Sequence, residues 1–211
     1  MFNIIVSGFR GKTGSVVVEF LRNQGFRYTY KYAADLNIWS VCTNVIVIDF
    51  TSPANLNNLL RIAICKQCKL IVGTTGYSKY QIMLLKKIAW YVPVFISSNF
   101  NSTFLLYLRV LRFVNKLKTT MVGTLVETHN LYKKDCPSGS AKLISKVIDV
   151  GNIFSLRYGN EIGTHTVILS NQHNTITLKH KCLDRYAFVD MLPYVIKFML
   201  CKLTGFYTFK V

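Results

Sequence analysis

The first twenty-one residues constrain the fold more than any other stretch. Phe2-Asn3-Ile4-Ile5-Val6-Ser7 is rich in Ile and Val with little alternation, as expected of a parallel strand buried on both faces. It breaks at Gly8-Phe9-Arg10-Gly11-Lys12-Thr13-Gly14, and an apolar helical pattern runs from Ser15 to Leu21. Strand, glycine turn and helix in this order are what a nucleotide-binding βαβ unit requires. Gly8 permits the tight turn, Gly11 lets the backbone approach a pyrophosphate, and Gly14 allows the helix to pack close on the strand. Glycines at this spacing also serve ordinary turns, so the reading depends on the organisation of the residues beyond Leu21.

Those residues repeat the same alternation of strand and helix. A second strand is predicted over 28–34, ending in Asp35 about 20 residues beyond the glycines, where a ribose-binding acid belongs. An acid there repels a 2′-phosphate, so NADH is expected to be preferred over NADPH, with Arg10, Lys12 or Lys31 able to compensate. A third strand spans 45–50, and Ser52-Pro53 reads as an N-cap with proline at the first position of a helix running to Cys65. Leu70 to Val72 is a short strand ending in Gly73-Thr74-Thr75-Gly76, Ser78 caps a helix to Trp90, and a fifth strand covers 94–97. The loop Asn99-Phe100-Asn101-Ser102 then opens a helix over 103–114. Ligands in open α/β sheets bind at the carboxyl ends of the strands. Gly73, Thr74, Thr75, Ser97, Ser98, Asn99 and Phe100 therefore join Gly8, Arg10, Gly11, Lys12, Thr13, Gly14 and Asp35 as candidate cofactor-binding residues.

From Gly123 the pattern changes. Strands are predicted over 123–129, 153–157, 164–170 and 175–181, interrupted by a helix at 139–149, with a last helix over 185–202. The fold class is thus α/β, a Rossmann-like doubly wound parallel sheet followed by an α+β domain. The dinucleotide-binding domain is expected over 1–100 with a return at about 185–211, and a second domain over 101–184.

The chemistry concentrates in the segment from Glu127 to Ser140. His129 is the candidate for proton transfer, because imidazole titrates nearest neutral pH, and Lys133 supplies a point charge four residues on. Ser138-Gly139-Ser140 can open a helix whose unpaired amides bind carboxylate or phosphate with the help of the helix dipole. A proton donor beside an anion cradle points to a small anionic ligand. His165, His173 and His180 have no metal-like spacing, and His165 and His180 are expected to line the far side of the cleft. Cys65 and Cys68 form one C-x-x-C, but zinc needs four ligands and no second pair matches, so no metal is expected.

Composition narrows the partners. Scattered cysteines without a secretory leader argue for reduced thiols and a cytoplasmic location. Arg109, Arg112, Lys197 and Lys202 interrupt the most apolar helices, so no stretch is long enough to span a bilayer. Twenty-six Lys and Arg against nine Asp and Glu give a net charge of +17, which raises nucleic acid as a partner. The basic residues are spread singly or in pairs and form no stripe, so a nucleic-acid partner is not expected. A non-catalytic basic protein of the same fold that binds nucleic acid is the competing reading.

The chain resembles the dihydrodipicolinate reductase family along nearly its whole length. The collinear pieces are Gly8 to Gly14, Val47-Ile48-Asp49-Phe50-Thr51-Ser52-Pro53, Val72 to Ser78, Ser98-Asn99-Phe100-Asn101, Glu127-Thr128-His129, Lys133 and Asp135 to Ser140. They continue through Arg157-Tyr158-Gly159, Gly163-Thr164-His165, His180 to Arg185 and Phe188. The resemblance implies NAD(P)H-dependent reduction of 4-hydroxy-tetrahydrodipicolinate, via its dehydrated ring, to tetrahydrodipicolinate in lysine and diaminopimelate biosynthesis. It also implies a homotetramer whose C-terminal domain binds the dicarboxylate substrate and supplies the oligomer's sheet. By the same resemblance His129 is the proton donor and acceptor, Lys133 a second proton donor, and Gly139 and Ser140 hold a substrate carboxylate, with Ser138 opening that turn. Asn130 stands where the family usually has a second substrate-contacting histidine; it can donate a hydrogen bond but carries no positive charge. The connections between Asp35 and Val45 and between Val150 and Arg157 are shorter than the family's.

Overall fold

The computed structural model describes residues 2–31, 45–117 and 120–210. In chain order its elements are β1 Asn3–Ser7, α1 Lys12–Asn23, β2 Tyr28–Lys31, β3 Val45–Asp49, α2 Leu56–Lys66, β4 Lys69–Val72, α3 Lys79–Ile88 and β5 Val94–Ile96. They continue with α4 Ser102–Leu117, β6 Val122–His129, α5 Gly139–Val147, β7 Asn152–Arg157, β8 Thr164–Ser170, β9 Thr175–Lys181, α6 Leu192–Leu200 and β10 Phe206–Tyr207. The chain divides into two compact units, one of Met1–Phe100 with Phe188–Lys210, the other of Asn101–Ala187.

The first unit is built on a six-stranded sheet in the order β2-β1-β3-β4-β5-β10, parallel throughout. Its central strands are buried on both faces, which is why they read as unbroken Ile and Val. Ile5, Val45, Val47, Leu70 and Val94 pack on Leu56, Leu59 and Ile62 of α2 and Leu85 and Ile88 of α3. The alternate residues Ile4, Val6, Ile46, Ile48 and Ile71 pack on Val17 and Leu21 of α1 and on Leu192, Val195 and Met199 of α6. Helices thus cover both faces, the doubly wound arrangement. β2 and β3 flank β1 on opposite sides, so the switch point of the sheet lies between β1 and β3.

Three local expectations are corrected. The helix expected over 185–202 is a single 3-10 turn at Arg185–Phe188 and then, separately, α6. Pro193 lies in the first turn of α6; it lacks an N–H and crowds the preceding turn, so a helix cannot run through it from Arg185. Ser52 and Pro53 open a 3-10 turn, Pro53–Asn55, with no side-chain cap, and α2 proper starts at Leu56. Finally, β10 adds a strand beyond those expected; its two residues pair with Val94 and Phe95. By contrast, Ser78 caps α3 as expected, in a reciprocal pair with Gln81. Asp35 and the expected end of the second strand lie outside the described residues.

The second unit is a four-stranded mixed sheet in the order β7-β6-β8-β9, with β6 and β7 parallel and the other pairs antiparallel. One face packs Leu125, Val167 and Leu169 on Phe104, Leu108 and Leu111 of α4 and Ala141 and Ile144 of α5. The opposite face carries Val122, Phe154 and Leu156, which are 65%, 55% and 47% exposed.

Candidate active site

The glycine turn of the first unit is shaped by close backbone approaches. Gly8 has φ +86°, and a Cβ on it would stand 2.3 Å from the Phe50 carbonyl oxygen. A Cβ on Gly14 would stand 2.0 Å from the Gly8 carbonyl oxygen, so the helix can approach the strand only because residue 14 has no side chain. Gly11 closes the turn by donating to the Gly8 carbonyl at 2.9 Å and is the N-cap of α1 without a side-chain cap. No acid occupies the first turn of α1, so its amides face outward toward any anion that approaches. Arg10 and Lys12 are exposed beside this turn and Thr13 is half-buried. The cradle fits a pyrophosphate.

The neighbouring loops are tied to this turn through Asp49 at the end of β3. Its buried carboxylate accepts from Thr74 Oγ1 at 2.6 Å and Thr51 Oγ1 at 2.8 Å, and its carbonyl accepts from Gly73 N at 2.8 Å. Burial pushes the Asp49 carboxyl above its ordinary range, against these hydrogen bonds. Thr74 is therefore committed to holding the loop, whereas Thr75 is exposed. Gly73 is held against the Phe50 ring, where a Cβ would stand 2.2 Å away. Ser97 Oγ donates to the Asn99 carbonyl at 2.6 Å, Ser98 is exposed and Asn99 is buried. The Phe100 ring is packed among Phe50, Phe95 and Phe209, so only its backbone can serve a ligand.

The second unit holds the acid–base cluster. Alternation along β6 puts Leu125, Glu127 and His129 on one face of the sheet, the face that α5 covers. The register then places His165 of β8 opposite Glu127 and His180 of β9 opposite His165. The His129 and His165 rings meet edge to face with centroids 5.3 Å apart, and Phe104 of α4 closes over His165 and His180. Like His129 itself, His165 and His180 are nearly enclosed, His165 beside His129 and His180 behind His165.

Glu127 is the centre of this cluster, a role that the sequence alone does not suggest. Its Oε2 meets His129 Nδ1 directly, while Oε1 accepts from Arg157 Nη2 at 2.8 Å and from the Ser138 amide at 3.2 Å. Burial alone would raise the Glu127 carboxyl, but hydrogen bonds from Arg157 and Ser155, the neighbouring His129 and the Ser138 amide bring it down to about 2. It is an anion at any working pH. Burial lowers the His129 pKa, Lys133 and Arg157 lower it further, and Glu127 opposes them. His165 is pushed down to about 3 by burial and by His129 and His180. The roles of Glu127 and Arg157 have one local signal in the sequence, the i, i+2 spacing of Glu127 and His129 on a strand. Arg157 is opposite His129 only through the β6–β7 register.

The anion cradle has an occupant from the chain itself. Lys133 Nζ lies 2.7 Å from Asp135 Oδ1, and the Gly139 amide at the start of α5 donates to Asp135 Oδ2 at 3.2 Å. Ser138 Oγ accepts from the Ala141 amide as the N-cap of α5, so its hydroxyl serves the helix. Ser140 is half-buried in the first turn of α5, and Asn130 Oδ1 accepts from the Tyr132 amide at 3.1 Å. Glu127, His129 and His165 each present an atom within 4.8 Å of the others, the reach of a single metal ion. Glu127 Oε2 and His129 Nδ1 are in direct contact, and Arg157 and Lys133 bring positive charge to the cluster, which disfavours a further cation there.

Residues 2–100 match the family profile of the dihydrodipicolinate reductase N-terminus, and residues 105–211 that of the dihydrodipicolinate reductase C-terminus. The chain belongs to the dihydrodipicolinate reductase family. A 4-hydroxy-tetrahydrodipicolinate reductase of Thermosipho africanus is 32% identical over 97% of this chain and 94% of its own length. One from Rickettsia bellii is 30% identical over 99% of this chain and 93% of its own. The dipicolinate-bound dihydrodipicolinate reductase of Paenisporosarcina sp. TG-14 shares the fold with a TM-score of 0.72 at 16% identity, over 99% of this chain and 97% of that one. The Lys133 to Ser140 loop stands beside the His129 strand end, the two joined through Glu127 and Arg157.

Proposed function

We propose that the protein is a 4-hydroxy-tetrahydrodipicolinate reductase that works with a nicotinamide dinucleotide. The observation that carries this reading is the Glu127–His129 pair beside Lys133 and the amide end of α5, in a chain of this family. The turn from Gly8 to Gly14 would hold the pyrophosphate on the first amides of α1, with Arg10 and Lys12 adding charge. When bound, the dihydronicotinamide supplies the hydride. On the substrate side, Lys133 and the Gly139 and Ser140 amides would take a ring carboxylate, displacing Asp135. Protonated His129, its ring held by Glu127, and Lys133 would supply the proton that completes the two-electron reduction. Holding the ring in place accounts for several kcal/mol of the barrier on the scale of known orientation effects.

NADH is the proposed preference, resting on Asp35 in the sequence. A homotetramer is part of the same proposal, supported by the exposed apolar face around Phe154 and Leu156, which a partner sheet would cover. A cytoplasmic location rests on the free cysteines 65, 68, 136, 182 and 201; among the described residues no helix is long and apolar enough to cross a membrane. The nucleic-acid reading draws no support from the relatives.

The deciding experiment monitors NADH and NADPH oxidation with enzymatically generated substrate. Turnover with either cofactor is expected, and none with both refutes the reading. A kcat/KM for NADPH above that for NADH by about tenfold, some 1.4 kcal/mol of discrimination, refutes the role given to Asp35.

A further inference from the structure

We infer that Glu127 is the positioning residue of this site, its single carboxylate setting the tautomer of His129 with one oxygen and locking the Lys133 loop and the start of α5 with the other. The inference rests on the reductase reading for its catalytic consequence, though its structural half does not.

The geometry is unusual in how much it hangs on one side chain. Glu127 Oε2 is in direct contact with His129 Nδ1, and both atoms are buried. An ionised carboxylate can only accept, so Nδ1 must carry a proton and every proton the ring gives or takes must pass through Nε2. Gly163 lies against that nitrogen; a Cβ there would stand 3.0 Å from it, so the residue leaves the edge of the ring open. The other carboxylate oxygen takes Ser138 N, fixing the first turn of α5, and Arg157 Nη2. The same guanidinium group donates to the carbonyls of Asp135 at 2.7 Å and Lys133 at 3.4 Å, holding the lysine loop against β7. Proton donor, second cation and anion cradle are thus three arms of one buried anion.

The groups facing His129 are Glu127 on its own strand, Lys133 in the next loop, Arg157 on β7 and His165 on β8, with His180 on β9 behind His165. Of these groups only Glu127 is negative; the Asp135 carboxylate is paired with Lys133 and the Gly139 amide. Without Glu127 the protonated imidazole would stand among cations in a buried place, and it would lose its proton at lower pH.

The test compares wild type with Glu127→Gln and Glu127→Asp, each assayed for kcat, KM and NADH affinity across pH and for the tautomer of His129 by nitrogen-15 NMR. Expected for Glu127→Gln is a kcat loss of about 10²-fold or more, the scale of losing a positioned acid or its tautomer. The alkaline limb of kcat should move to lower pH, and the ring proton should pass to Nε2, while NADH affinity stays within a few fold. Glu127→Asp, which keeps the charge, should recover part of the rate and of the limb. An unmoved limb with Nδ1 still protonated in Glu127→Gln overturns the inference, as does a wild-type His129 protonated on Nε2 alone. Should Glu127→Gln fail to fold, the wild-type tautomer and Glu127→Asp decide in its place. Absence of turnover in wild type would refute the reductase reading instead, and the NMR comparison would still judge Glu127.

Discussion

Gly14→Ala sets two effects of opposite sign against each other. Residue 14 is the third position of α1, and replacing a helical glycine by alanine ordinarily stabilises by up to about 1 kcal/mol. Here the new Cβ would stand 2.0 Å from the Gly8 carbonyl oxygen, 2.6 Å from its carbon and 3.1 Å from Phe9 Cα. All three are backbone atoms, so no side chain can rotate away. Relief requires α1 to withdraw from the β1 turn by more than an ångström, which breaks the close approach and pulls Val17 and Leu21 from the core of the first unit. Overpacking costs about 1–3 kcal/mol where the surroundings can adjust, and more where they are backbone. The clash therefore wins. Net destabilisation should be about 2 kcal/mol or more, which at this chain length lowers the melting temperature by roughly 4–8 °C. Dinucleotide affinity should fall as well, because the amides that would face the pyrophosphate move with the helix. The assay is calorimetric melting with an NADH fluorescence titration. Gly25→Ala serves as a control, since nothing lies within 4 Å of its Cβ position and only its positive φ resists. A Gly14→Ala protein that melts at or above wild type and binds NADH normally would refute the reasoning.

Three further outcomes are expected. His129→Gln should lower kcat by about 10²-fold, whereas Lys133→Ala should raise KM and lower kcat together; neither should change NADH affinity by more than a few fold, and wild-type turnover in both would remove them from the mechanism. Asp135→Asn takes the internal carboxylate from Lys133 and the Gly139 amide, so inhibition by a ring dicarboxylate such as dipicolinate should tighten, and unchanged or weaker inhibition would show that the cradle does not bind substrate. His165 is neutral in the fold because its pKa is depressed from 6.5 to about 3, while the unfolded chain binds a proton below 6.5, so stability is full above that pH and is lost as pH falls toward 3. Between neutral pH and about pH 4.5 the loss should be about 3 kcal/mol, at about 1.36 kcal/mol per pH unit, and urea midpoints of His165→Gln should lose much of this slope; an unchanged slope would place the acid sensitivity elsewhere.

The parts of this protein that are legible in the sequence are those whose cause is local. β1 and β3 read as parallel strands because both faces are buried, the capping box of Ser78 and Gln81 marks the start of α3, and Gly8 and Gly14 announce their turn. The departure at α6 is also local, since Pro193 stands in the sequence and forbids a helix running through it from Arg185. β10 is different. Its two residues have no pattern of their own and exist as a strand only because β5 offers an edge. The site divides along the same line. His129, Lys133 and Ser138 to Ser140 can be singled out because their spacing lies within one segment. Their burial cannot, and an exposed loop is a natural picture for a segment whose histidine and serine the structure encloses beside β8.

The spacing of residues also does not reveal the charge that makes the cluster work. A chain with a net charge of +17 has few acids, and two that organise loops, Glu127 and Asp49, are both enclosed near strand ends. Neither sits in an acidic run. Each is instead a carboxylate to which separate segments donate: Thr51 and Thr74 around Asp49, and His129, Arg157 and the Ser138 amide around Glu127. Burying a charged group is costly unless hydrogen bonds and counter-charges compensate it, so such an acid tolerates only one arrangement of its donors. These two acids therefore hold loops in place, and the chain's many lysines and arginines set its net charge. For this reason the overall positive charge says little about nucleic acid, and the positions of Glu127 and Asp49 say more about where the loops are anchored.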